Sequence, residues 1–91
     1  MPKFLAVHTL TAPTTVEDVS VLAKQVKANH TVDAYWVRSW AQSDEEGKVV
    51  KIYCQWDAAD AESISKVLTK VPDLPVDGTY PMMIIHSEDF R

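Results

Sequence analysis

Glycine is scarce in this chain. The only two stand at positions 47 and 78, too far apart to form a P-loop or a GxGxxG turn, and no GxSxG nucleophile elbow occurs. A single cysteine, Cys54, excludes an intramolecular disulfide and any CxxC metal or redox pair. Clustered positive charge is missing too. The nine basic residues are scattered with no two adjacent, in a chain of net charge −4, whereas nucleic-acid binding needs Lys and Arg massed against phosphates. No segment approaches the ~20 apolar residues of a membrane span, and "MPKFLAVHTL" lacks a signal-peptide core. The expected protein is soluble and cytoplasmic, with no nucleic-acid or membrane partner. Paired catalytic carboxylates are absent. Asp44, Glu45 and Glu46 lack EF-hand spacing and read as a solvated turn. No catalytic residue is assigned.

What is present is a normal globular composition, 46% apolar over 91 residues. That length predicts a single domain, 1–91, near the lower limit for a self-sufficient core. A small domain gains from a partner surface, so a homodimer is expected.

"KFLAVHTL", residues 3–10, reads as a strand ended by "TAPTT". Thr14 or Thr15 is the natural N-cap of a helix to about Asn29, with Glu17 completing a capping box after Thr14. Its apolar stripe is Val19, Leu22, Ala23 and Val26. "AYWVRSWA" and "VVKIYCQW" are two strands joined by "QSDEEGK", where Gly47 supplies a positive φ. Asp60 caps a second helix with Ile64, Val67, Leu68 and Val71 on one side. "TYPMMIIHS" is the last strand, with Pro81 marking an edge or a strand start.

The order β-α-β-β-α-β predicts an α+β, ferredoxin-like domain with a four-stranded antiparallel sheet. Right-handed crossovers put both helices on one face. The opposite face, rich in apolar residues, is then expected to meet the second copy. With Val37 facing Ile52, the hairpin sorts into two sets. Tyr35, Val37, Ser39, Val50, Ile52 and Cys54 face the helices, and Trp36, Arg38, Trp40, Lys51 and Tyr53 face the partner. A cation among aromatics suits an interface, and also a pocket for an anionic or aromatic ligand.

"WVRSW", the hairpin, "KIYC", the helix start "DAAD" and "LPVDGTYPM" together resemble one group of small bacterial ferredoxin-like proteins. Its members have no assigned function, apart from an actinobacterial nickel-binding protein. The resemblance covers nearly the whole chain and implies a homodimer and a divalent transition metal such as nickel. His8 matches a histidine late in the first strand of the nickel-binding branch, and Cys54 matches its third-strand cysteine. The branch's second-strand histidine is replaced here by Arg38, which stays protonated and cannot coordinate a metal.

His8, His30, His86 and Cys54 are the only soft-metal donors. With His8 beside Met83, His86 would lie roughly 10 Å along the strand, beyond chelating reach. His30, after the first helix, reads as a partner of the helix dipole. Cys54, mid-strand and far from a helix N-terminus, reads as a small buried hydrophobe. The expected function is binding of a small ligand or transition metal at the sheet face or dimer interface. The ligand residues are His8, Trp36, Arg38, Trp40 and Tyr53, and the metal residues His8 and Cys54. Two alternatives stand beside it. One is a cofactor-free dimeric α/β-barrel enzyme of monooxygenase or isomerase type, with His8 as acid/base and Arg38 at an oxyanion. The other is a structural module without a ligand.

Overall fold

A computed structural model describes residues 1–91. Its elements are β1 (Lys3–Thr14), α1 (Val16–Ala28), β2 (Ala34–Ser43), β3 (Val49–Ala58), α2 (Ala61–Leu68), β4 (Gly78–Met82) and a terminal 3-10 turn, Ser87–Phe90. The strands form one antiparallel sheet in the order β2-β3-β1-β4. This is the expected ferredoxin-like arrangement.

Local chemistry starts and stops the helices. Thr15, in extended conformation, caps α1 by accepting the Asp18 N–H at 3.2 Å, so Thr15 rather than Thr14 takes that role. Asp60 caps α2, accepting from the Ser63 amide and hydroxyl, each at 2.8 Å; the unpaired backbone amides of a helix's first turn are the reason such residues stand there. At the hairpin tip the Asp44 carboxylate accepts the Glu46 and Lys48 amides at 2.9 and 3.0 Å. Gly47 follows at φ 80°, a left-handed conformation that a Cβ disfavours. The carboxylate run therefore serves the turn.

Alternation along β3 defines the two faces of the sheet. Ile52, Cys54, Trp56 and Ala58 are buried under the helices, and Lys51, Tyr53, Gln55 and Asp57 point the other way, half-buried. Phe4 and Ala6 of β1 join the buried set, with Val26 of α1 and Ile64, Val67 and Leu68 of α2. Val71 and Leu74 from the following loop close the core. The molecule is a slab of 38 × 34 × 18 Å: one sheet, one helical layer, and nothing on the sheet's far side.

Two strand ends differ from expectation. β1 continues through Pro13 to Thr14, but its pairing with β3 jumps from Thr9↔Lys51 to Thr14↔Val49. Proline has no amide to donate to a ladder, and the strand bulges out there. β4 stops at Met82 instead of reaching Ser87. Met82 pairs with Lys3 at the start of β1, so the residues beyond it have no neighbouring strand to bond.

Candidate functional site

A bulge in β2 sorts the aromatic strand. Trp36 lies opposite Trp56, but the next paired residue is Arg38, opposite Gln55, which leaves Val37 as the extra residue. One inserted residue reverses side-chain parity beyond it. Ser39 and Ala41 then face the helices across from Cys54 and Ile52, while Arg38 and Trp40 face outward, with Trp40 across from Tyr53. The expected outward set is therefore corrected at one member. Trp36 belongs to the helical side, where it packs against the core and donates its indole N–H to Ser39 Oγ at 2.8 Å. Tyr35, expected inward, lies in register with outward Asp57, and Lys27 Nζ sits 5.0 Å from its ring centroid.

Arg38, Trp40 and Tyr53 share the open face with Lys3, Leu5 and Gln55. Together with Met82–Ile84 they line a broad hollow of about 670 Å³. Lys3 is paired to Asp57 at 3.3 Å. Tyr53 donates its hydroxyl to Gln42 at 3.0 Å, and Lys51 Nζ lies 5.7 Å from the Tyr53 ring centroid. Arg38 has no ion-pair partner. A guanidinium without an ion pair, in a hollow it shares with Trp40 and Tyr53, suits a carboxylate, a phosphate or a flat ring.

His8 is elsewhere. It pairs with Ile52 on the helical side and is fully buried, so it does not line the open face with Arg38. Its Nδ1 lies 2.7 Å from the Pro75 carbonyl. A carbonyl only accepts, so Nδ1 carries the proton and Nε2 is a bare acceptor, with no partner of its own. The register also overturns the placement of His8 beside Met83. Val7 pairs with Gly78, and the Asp77 amide donates to the Val7 carbonyl at 2.7 Å. His8 therefore sits at the start of β4, and His86 lies past the strand's other end.

Cys54 shares the helical side with His8, opposite Ala6. Ser39 Oγ donates to its sulfur at 3.0 Å. Burial pushes the thiol pKa up, and the Ser39 hydrogen bond only partly opposes this. The thiolate is the species that ligates or attacks, so both functions are disfavoured. No three His, Cys, Asp or Glu side chains converge anywhere in the chain. A resident nickel ion needs more donors than His8 and a protonated Cys54, and the residues of one chain do not fit it.

His30 is no dipole partner: its Nε2 accepts the Trp36 backbone N–H at 2.9 Å, which requires a neutral ring. Burial, and secondarily Lys27, lower its pKa. Burial also lowers that of His8, against weaker opposing effects of Pro75 and Asp77. The unfolded chain, with histidines near about 6.5, thus binds protons that the native state refuses, and stability rises with pH in that window. This contribution is complete above the unfolded value and is lost as pH falls below it. The melting temperature is expected to drop between about pH 7.5 and 5, before most carboxylates titrate. A His8→Leu variant should show a shallower drop. A wild-type melting temperature flat across that range would refute the assignment of both rings as neutral.

No curated protein matches the chain. A crystal structure of SCO4226 from Streptomyces coelicolor A3(2) aligns with a TM-score of 0.74 over 92% of this chain and 99% of that one, at 16% identity. That likeness establishes the shared fold. The family model of nickel-responsive SCO4226-like proteins matches residues 4–81, from the start of β1 almost to the end of β4. The chain belongs to the SCO4226-like family of nickel-responsive proteins.

Proposed function

We propose that this protein is a small-ligand-binding member of its family, working as a homodimer whose open sheet faces meet and enclose an organic anion held by Arg38. The observation that carries the reading is Arg38 itself, a guanidinium without an ion pair in a hollow walled by Trp40, Tyr53 and Leu5. A second copy suits the rest of that face. Trp40 is 53% exposed, Met83 81% and Ile84 57%, and apolar surface so gathered around one hollow marks an interaction site. The 38 × 34 Å breadth of the slab exceeds the roughly 800 Å² per partner that a stable interface buries. The enzyme alternative loses its geometry, because His8 and Arg38 lie on opposite faces of the sheet.

Calorimetric titration of the tag-free protein with benzoate and with benzyl alcohol tests the reading. Benzoate should bind saturably and benzyl alcohol should not, and Arg38→Gln should weaken benzoate by about tenfold or more, the scale of one lost charge-assisted pair. Equal binding of the two probes, or indifference to Arg38→Gln, would refute it. The family name gives nickel its own arm. Saturable Ni²⁺ uptake at a fixed metal-to-protein ratio would replace the anion reading with a metal site, and its loss in His8→Ala would put that site on the helical side of the sheet, away from the open face.

A further inference from the structure

A second unengaged polar side chain stands next to Arg38 on the open face. Strand register lays that face out in rows. In one row Arg38 of β2 is opposite Gln55 of β3, Gln55 is opposite Leu5 of β1, and Leu5 is opposite Tyr80 of β4. The row on one side begins with Trp40 opposite Tyr53. The row on the other side holds Asp57 opposite Lys3.

The polar side chains lining the hollow are Lys3, Arg38, Tyr53 and Gln55. Lys3 is bonded to Asp57, and the Tyr53 hydroxyl to Gln42. Arg38 has no ion pair, and the Gln55 carboxamide bonds to no group of the chain. Its amide atoms are open to solvent, because the buried side-chain polar atoms without a partner are His8 Nε2 and the Trp56 indole nitrogen, and no others. Residues directly opposed on antiparallel strands have Cβ atoms about 5 Å apart. An anion on the Arg38 guanidinium therefore lies beside a free donor and a free acceptor.

We propose that the ligand of this hollow is a monoanionic aromatic acid carrying a hydroxyl group, with the carboxylate on Arg38 and the hydroxyl on Gln55, so that Gln55 sets the specificity. This rests on the anion reading above and names its ligand class. Neighbouring strands lie about 4.8 Å apart, and a meta hydroxyl stands roughly 5 Å from the carboxylate carbon of a benzoate, which matches that step. A carboxamide donates and accepts, as a hydroxyl does, so the two can satisfy each other. A second negative charge has no such partner: Gln55 is neutral, and Lys3 is held by Asp57. The ring then rests against Leu5, with Trp40 and Tyr53 along its side.

Calorimetric titration of the full chain near neutral pH with benzoate, 3-hydroxybenzoate and isophthalate tests this. The hydroxylated probe should bind about fivefold tighter than benzoate, the scale of one neutral hydrogen bond. Isophthalate, with a carboxylate in place of the hydroxyl, should bind no tighter than benzoate. Gln55→Met, similar in size but without the amide, should bring the ratio of 3-hydroxybenzoate to benzoate affinity down to about one. Gln55→Glu sets a carboxylate directly opposite Arg38, where opposite charges pair across strands, and should weaken both probes by about tenfold. Benzoate that binds through Arg38 with no advantage for 3-hydroxybenzoate would overturn this inference and leave the anion reading standing. Failure of benzoate itself would overturn both. A preference that survives Gln55→Met, or isophthalate as the tightest probe, would also overturn it. If a variant does not melt cooperatively, the affinity ratios of the parent protein decide the matter.

Discussion

Trp56→Ala is expected to cost about 3–5 kcal/mol, the range for deleting a buried tryptophan from a packed core. Trp56 is 0% exposed near the C-terminal end of β3, between Phe4 of β1 and Trp36 of β2. Its deletion leaves a void that joins the apolar cleft already present under α1. The neighbours cannot collapse into it, because all three strands are held in register by ladder hydrogen bonds. A domain of this size has only about 5–15 kcal/mol in total, so the variant should lose a large fraction of its stability. Urea denaturation measures this directly: the midpoint should fall with little change in slope. A loss under about 1 kcal/mol would place Trp56 outside the core and contradict the β1–β3 register.

Trp40→Ala should do nearly the opposite. Trp40 stands on the same strand as Trp36, but it is 53% exposed and faces Tyr53 across the open side. Removing so exposed a side chain should change the stability of one protomer by no more than about 0.5 kcal/mol. The proposed dimer should suffer far more. Central tryptophans of interfaces are typical hot spots worth about 2 kcal/mol or more, equivalent to a dissociation constant raised some thirtyfold. Sedimentation at low micromolar concentration separates the cases. A variant as dimeric as the parent would remove the open face from the proposed interface. The contrast between these two tryptophans, which stand on the paired strands β3 and β2, comes from which side of the sheet each occupies.

The sequence by itself determined whatever is written in local patterns. The element order follows from strands bounded by turn residues and from helices with side-chain caps. The stripes Val19–Leu22–Ala23–Val26 and Ile64–Val67–Leu68 follow from the 3.6-residue period, and each turned out to face the sheet. Gly47 at the hairpin tip was legible from turn chemistry, whereas the shared face of Arg38, Trp40, Lys51 and Tyr53 was reached from a pairing of Val37 with Ile52 that the fold replaces with Ala41. One feature was beyond that logic: the Val37 bulge, which moved Trp36 to the helical side. Nothing in "YWVRSW" marks an inserted residue, because a bulge exists only relative to the strand it pairs with. The fate of His8 was likewise decided by tertiary structure. Its neighbours in sequence say only that it lies on a strand, whereas its burial comes from the loop carrying Pro75 and Asp77, nearly seventy residues away. β4 ended early because β1 offered it no partner before Lys3. The free N–H of Trp56 is visible only once every nearby acceptor has been assigned. Periodicity and capping act over a few residues and can be read along the chain; register, parity after a bulge and the satisfaction of buried polar atoms depend on what the fold brings alongside.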